Sequence, residues 1–203
     1  MQNAIEVNEL TKSFEEITAV DHISFEVKRG EVFGFLGPNG AGKTTTVRML
    51  TGLFQPSGGE ASILNYDIKS DITQIKKRIG VVPEASNLYD ELSGIDNLVF
   101  TAQLYGVHRK ERITRAEELL KTFGLYERKD SLFKTYSRGM KRALTIAAAL
   151  IHHPDILFLD EPTVGLDVVA ARSLRNLIKN LRSQGITIFL TTHYLEEADL
   201  LCD

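Results

Sequence analysis

The chain has 203 residues, 43% apolar and 25% charged, with a formal charge of −3, a composition that supports a buried core and excludes a disordered tail. So weak and negative a charge also excludes a broad positive field for wrapping nucleic acid or lying on an anionic membrane, so that any membrane link must come through another chain. A single cysteine, Cys202, rules out an internal disulfide, and no CxxC or Cys/His cluster spells a zinc site.

The opening MQNAIEVNEL lacks the basic and apolar regions of a secretory signal. No apolar run approaches the roughly 20 residues of a spanning helix, and a cytoplasmic location is the expectation. Strand patterns follow at Ala4 to Leu10, His22 to Val27 and Glu31 to Gly37. The first two are parted by a polar stretch and the last two by the turn Lys28-Arg29-Gly30, which predicts antiparallel pairing feeding a buried strand. A glycine-rich turn then opens a helix from Lys43 to about Thr51, and Pro56-Ser57-Gly58-Gly59 forms a loop. Next come a strand at Ala61 to Leu64, a helix from Asp71 to Arg78 and a strand at Ile79 to Val82.

Between Pro83 and about Tyr136 the periodicity is helical, without strands. Helices are expected at Ile95 to Tyr105 and Arg109 to Phe123, the latter placing Ile113, Ala116, Leu119, Leu120 and Phe123 on one face, as in a helical insertion. A helix from Arg138 to His152, a strand at Ile156 to Leu159, a helix from Val168 to Gln184, a strand at Ile186 to Thr191 and a helix starting near Tyr194 complete the pattern. Apolar strands alternating with helices predict an α/β fold, with a mostly parallel sheet covered on both faces. The sequence ends a turn or two into that last helix, which reads as a C-terminally truncated domain.

Three places in this frame carry chemistry. Gly37-Pro38-Asn39-Gly40-Ala41-Gly42-Lys43-Thr44 has the spacing of a phosphate-binding loop and the required setting between a strand and a helix. Its glycines let successive amides converge on a phosphate at a helix N-terminus, Lys43 brings an ammonium to the β- and γ-phosphates, and Thr44 offers a hydroxyl to magnesium. Asp160 and Glu161 end an apolar strand, where ligands of parallel sheets sit; Asp160 is placed to hold magnesium through water and Glu161 to orient or deprotonate an attacking water. A polar strand end before the turn at Pro162 is the plainer reading of that pair. His193 ends the next apolar strand in the matching position, within reach of a γ-phosphate, although a lone histidine at a strand end is ordinarily structural.

Gly37 to Thr45, Tyr136-Ser137-Arg138-Gly139-Met140-Lys141-Arg142, Ile156 to Pro162, Gly165-Leu166-Asp167 and Thr192-His193 together resemble, over essentially the whole chain, the nucleotide-binding subunit of ABC transporters. The resemblance implies a P-loop NTPase fold: a RecA-like core with an antiparallel β subdomain over residues 1–83 and 154–203, and an inserted helical subdomain over 84–153. It implies ATP and Mg2+ as cofactors and hydrolysis driven by closure of a homodimer, or of a pair of ATP-binding subunits, against a transmembrane permease at the inner face of the membrane. Direct nucleic-acid binding is not expected. Ser137, Arg138, Gly139 and Met140 then act on the nucleotide of the opposite subunit, where an ordinary capped helix start is the alternative, and Asp167 is the intersubunit-loop aspartate, or equally a helix N-cap.

Phe14 falls where the family stacks an aromatic ring on adenine, and is equally readable as an anchor of the fold. Thr45 closes the ATP-binding set. Three residues depart from the family pattern: in the signature Arg138 replaces a glycine and Met140 a glutamine, and Glu84, in Val81-Val82-Pro83-Glu84, replaces a glutamine that contacts magnesium and water. A carboxylate there still offers oxygen to a hard cation. The Gly-Met ending followed by basic residues resembles the branch serving ABC-2 type exporters, and the segment Glu84 to Phe100 is the expected docking surface for the membrane partner. Two rivals share the phosphate chemistry: a soluble ABC ATPase acting on DNA or ribosomes, and a regulatory module that holds ATP without hydrolysing it. The first lacks its usual coiled coils or second cassette here, and the second sits poorly with Lys43, Glu161 and His193.

Overall fold

Two strand patterns produce two sheets in the computed structural model, which describes residues 2–203. Half-buried alternating strands make the antiparallel one, of order β2-β1-β4-β5, from β1 (Asn3–Phe14), β2 (Ile17–Lys28), β4 (Gly58–Ile63) and β5 (Tyr66–Asp67). Ile5, Val7 and Leu10 of β1 face inward. Continuously apolar strands make the other, all parallel and of order β3-β8-β7-β6, from β3 (Val32–Leu36), β8 (Thr187–Thr192), β7 (Ile156–Asp160) and β6 (Ile79–Val82). Every residue of β7 and β8 is buried, as a parallel sheet covered on both faces requires. The two sheets meet through an aromatic cluster in which Phe25, Phe33, Phe35 and Phe158 surround Phe189 or one another at centroid distances of 5.2–6.0 Å.

Helix α1 (Lys43–Leu50) packs into the core between the sheets, and α6 (Val168–Ser183) and α7 (Leu195–Leu201) cover the parallel sheet. Helices α3 (Gly94–Leu104) and α4 (Arg112–Thr122) build a separate apolar cluster around Leu98, Ala102, Ala116 and Leu120. Helix α5 (Arg138–Leu150) belongs to both neighbourhoods. Its Ile146, Ala149 and Leu150 pack with Leu157 and Leu159 of β7, while Leu144, Ala147 and Ala148 close the helical cluster. The approach to the sheet is close: a Cβ on Gly80 of β6 would lie 2.4 Å from the carbonyl of Ala149.

The expected α/β class with a parallel sheet, an antiparallel sheet and an inserted helical layer is what the structure has. The elements differ at their edges. Strands β1 and β2 run on through the polar stretch expected to part them and turn only at Glu15-Glu16. That extension rests on ladder bonds and polar cross-strand contacts such as Ser13 Oγ to Thr18 Oγ1 at 3.2 Å, a stabilisation that leaves no apolar periodicity to read. Strand β5 has two residues and was not expected. Helix α2 (Ile72–Lys76) is shorter than Asp71 to Arg78, and α4 begins three residues after Arg109.

The end of α5 is tied down by His152. Its ring stacks on Tyr105 with centroids 3.7 Å apart and planes 4° off parallel, and its Nε2–H donates to the carbonyl of Ile79 at 3.0 Å. Nδ1 is buried with no partner. Burial therefore pushes this imidazole down from 6.5 to about 4. Because the unfolded chain takes up that proton first, stability is complete above pH 6.5 and falls as the pH drops toward 4. Urea unfolding at about pH 7.5 and about pH 5 checks this: the loss at the lower pH should shrink in His152→Gln, which keeps a donor but does not titrate.

Candidate functional site

Three parallel strands end at one level. In the sheet register Asp160 lies beside Thr191, and Leu36 beside Thr192, so the segments that leave β3, β7 and β8 converge on one edge. The loop after β3 is held there by the Gly37 amide, which donates to the carbonyl of Thr192 at 3.2 Å. Gly40 and Gly42 have φ of +85° and +84°, the left-handed region where glycine is the ordinary residue. Gly42 is needed twice over, since a Cβ would stand 2.4 Å from the Ala19 carbonyl. The first bond inside α1 runs from the Thr46 amide to Gly42 O at 2.8 Å, so the amides of Lys43 and Thr44 have no helical acceptor and are available to an anion.

Asn39, Gly40, Gly42, Lys43, Thr44, Thr45, Glu84, Glu161 and His193 line a single cavity of about 430 Å³, together with Ala19 and Val164. Lys43 Nζ donates to Gly37 O at 2.7 Å and Pro38 O at 3.1 Å, and lies 3.0 Å from Glu161 Oε1. The two side chains of that ion pair are only 6% and 8% exposed. Removing both charges from water is costly, which marks the place as one where charge has a use. Glu161 Oε1 is close to the ammonium but is not aligned to accept a hydrogen bond, leaving a buried acceptor unfilled. On its other side Glu161 Oε2 accepts from His193 Nδ1 at 2.9 Å, so the Nδ1 proton is committed to that carboxylate.

Asp160 does not line the cavity but reaches it through Thr44, whose hydroxyl donates to Asp160 Oδ1 at 3.2 Å. The same oxygen accepts from the Thr191 hydroxyl at 2.6 Å, and Thr191 Oγ1 in turn accepts from the Glu161 amide at 3.0 Å. Thr191, fully buried, thus orients one carboxylate and pins the backbone of the other. Glu161 needs that support, because its φ of +46° is unfavourable for a residue with a Cβ. Among the described residues no cluster of three or more His, Cys, Asp or Glu gathers that could hold a metal alone. Thr44, Asp160 and Glu84 offer a hydroxyl and carboxylates, a hard-oxygen set that fits a cation taking its remaining ligands from phosphate and water.

The remaining predicted residues lie elsewhere. Ser137, Gly139, Met140 and Asp167 line a different groove of about 450 Å³ between the ends of α4, α5 and α6. Ser137 caps α5 by accepting from the Met140 amide at 3.3 Å, and Asp167 caps α6 by accepting from the Ala170 amide at 2.8 Å. Both are therefore helix N-caps within this chain. Arg138 reaches toward Gly165, where a Cβ would stand 3.9 Å from its guanidinium. Phe14 lies at the tip of the β1–β2 hairpin, 41% exposed, edge-on to Phe54 at 5.4 Å and under the Lys12 ammonium at 4.9 Å. It does not line the phosphate cavity.

Sequence reasoning gave no role to Thr191, and none to Arg142 beyond its place in the motif Tyr136 to Arg142. The Thr191 contact depends on sheet register, which no local pattern reveals. Arg142 did carry a signal: with Lys141 it forms the basic pair after Gly139-Met140, directly before the largely apolar run Ala143 to Ile151. It is 9% exposed and its guanidinium donates to Asp160 O at 2.8 Å, Pro162 O at 3.0 Å, Glu84 O at 3.3 Å and Pro83 O.

The family model described as "ABC transporter" matches residues 20–164, and a model described as "AAA domain, putative AbiEii toxin, Type IV TA system" matches 130–199. The chain is 44% identical over 200 residues to the daunorubicin/doxorubicin resistance ATP-binding protein DrrA of Streptomyces peucetius, covering 98% of this chain and 61% of that protein. It is 41% identical over 199 residues to the linearmycin resistance ATP-binding protein LnrL of Bacillus subtilis, covering 98% and 64%. The chain thus spans a little under two thirds of these relatives. A solved structure titled as the dimeric post-hydrolysis state of the ATP-binding cassette MJ0796 bound to ADP and Pi superposes with a TM-score of 0.86 at 28% identity, over 97% of this chain and 91% of that one.

Removing the Thr191 hydroxyl with Thr191→Val leaves Asp160 Oδ1 short of its closest donor inside the protein. The expected cost is about 1–3 kcal/mol of folding free energy, read from urea unfolding, with Thr191→Ser recovering most of it.

Proposed function

This chain belongs to the ABC transporter ATP-binding family, and on that premise we propose that it binds ATP with magnesium and, as one of a pair, hydrolyses it to drive an ABC-2 type exporter. The observation that carries this reading is the line Lys43–Glu161–His193, held at 3.0 and 2.9 Å along the wall of the phosphate cavity. The loop from Gly37 to Thr45 holds the phosphates through its amides, and Lys43 follows the γ-phosphate as charge develops there. Glu161 takes a proton from the attacking water at Oε1 while the bond between the γ-phosphorus and ADP breaks. His193 keeps Glu161 Oε2 fixed through Nδ1, and its Nε2, when it carries a proton, would donate to the γ-phosphate. Thr44, Asp160 and Glu84 are the residues that would hold a magnesium ion, which when bound would neutralise phosphate charge.

Pairing completes the site. Ser137, Gly139 and Met140 line a groove apart from the phosphate cavity of their own chain, and with Arg138 between them they form an arrangement suited to serving the nucleotide of a partner. Asp167 and the exposed Val168 and Val169, 83% and 75% accessible, offer an apolar edge for that contact. Residues 84–153 form the helical unit that conveys closure to a transmembrane permease, and residues 1–83 and 154–203 form the nucleotide-holding unit. A cleft of about 260 Å³ lined by Asn87, Leu88, Tyr89, Phe100, Leu104 and Tyr105 supports docking of that permease. Tyr89 and Leu104 present apolar surface to solvent there. No described helix is long and apolar enough to cross a membrane; on the proposed reading the permease partner carries the membrane step and holds this chain at the inner face. Phe14, 41% exposed at the hairpin tip, is the side chain we assign to adenine.

Steady-state ATP hydrolysis against protein concentration tests the proposal. The rate should need magnesium, rise faster than linearly with protein and drop at least about a hundredfold in Glu161→Gln. ATP binding without turnover in any pairing would defeat the hydrolytic reading. Glu84→Gln removes a negative charge beside the triphosphate, so both the magnesium half-saturation and the turnover rate are expected to change; identical curves would remove Glu84 from the metal site.

A further inference from the structure

The guanidinium of Arg142 meets four oxygens, all of them backbone carbonyls, drawn from two segments: Pro83 and Glu84 after β6, and Asp160 and Pro162 at and just beyond the end of β7. No carboxylate bonds it directly. Burial alone holds it down to about 10, against the attraction of Asp160, Glu84 and Glu197, so it stays a cation at neutral pH. A charge satisfied only by carbonyl dipoles gains less than one in an ion pair, and an apolar residue would fill this position at lower cost. Fold stability therefore accounts poorly for an arginine here, while geometry accounts for it well. The two carbonyls from β7 flank Glu161, the residue with the unfavourable φ of +46°. The two from β6 end on Glu84. A planar fork is the side chain suited to fixing several carbonyls at set angles; an ammonium is a point charge and is not.

We propose that Arg142 is a positioning residue of the hydrolytic site: it fixes the backbone on both sides of Glu161 and at Glu84 and ties both to helix α5, the helix that Ser137 to Met140 begin. The inference rests on the hydrolytic reading for its consequence and on the contacts alone for its geometry. Arg142 sits in the second turn of α5, so a partner that engages the first turn and shifts it displaces the fork as well. The carboxylate that activates water and the one beside the metal are then adjusted together. Each chain's own hydrolytic geometry thereby senses whether its signature turn is engaged.

Arg142→Lys and Arg142→Gln test this with two independent readouts. Hydrogen exchange in the absence of nucleotide should quicken by about tenfold in peptides covering 83–88 and 160–166, and remain within about twofold in α1 and β3, in both variants. In hydrolysis, kcat should fall by about ten- to a hundredfold, while the ATP dissociation constant measured in EDTA changes by less than about threefold, and lysine should not rescue. Unchanged exchange in those two peptides overturns the assignment. So does faster exchange spread through the whole chain in both variants, which would make Arg142 a plain fold anchor, or full rescue by lysine, which would make charge rather than the fork the relevant property. If the unmutated chain hydrolyses nothing, the hydrolytic proposal falls, and the exchange experiment still decides the clamp.

Discussion

Parallel pairing at the ends of β3, β7 and β8 is the constraint on which the rest of the site depends. A parallel ladder fixes relative strand height, and here it sets Leu36 beside Thr192 and Asp160 beside Thr191. Three turns must then leave the sheet at one level. One becomes the glycine loop that opens α1, one carries Glu161 and one carries His193. Slipping β8 by one residue would send Thr191 to the other face and take away both its bond to Asp160 and its hold on the Glu161 amide. The aromatic cluster around Phe189 guards against that slip, because Phe189 fills the junction of the two sheets only in this register.

At this edge the molecule accepts local costs for a defined geometry. A lysine and a glutamate are taken out of water, a non-glycine residue holds a left-handed conformation and an arginine lies among carbonyls. Each is sustained by contacts that over-determine it. Glu161 is held from four directions, by Thr191, His193, Lys43 and, through its neighbours, Arg142. The interior pays for this with apolar packing: β7 and β8 are buried throughout, and α5 closes two apolar clusters at once.

The fold was legible where physics is local. Apolar runs in Ile156 to Leu159 and Ile186 to Leu190 read as buried parallel strands, and the glycine loop read as an anion cradle because its spacing and its strand–helix setting coincide. The polar half of the β1–β2 hairpin was not legible, since ladder bonds leave no mark in hydropathy. Strand β5 is too short to carry a period. Within the site, loop and strand-end residues were readable one by one, while the bridges between them were not: Thr191 acts across a strand and Arg142 across two segments far apart in sequence. The capping roles of Ser137 and Asp167 were readable from residue type alone.

One contact between the two sheets also limits how the length of this chain can vary. The phosphate loop leans on the hairpin through Gly42, where even a methyl group would meet the Ala19 carbonyl. An inserted residue anywhere from Ala19 to Phe25 would shift β2 against either that carbonyl or the aromatic junction. At Glu15-Glu16, beyond both fixed points, added residues would loop into solvent. Homologues with longer hairpins should accordingly carry their extra residues at this tip, and a fused tag or domain placed there would leave the nucleotide loop in register.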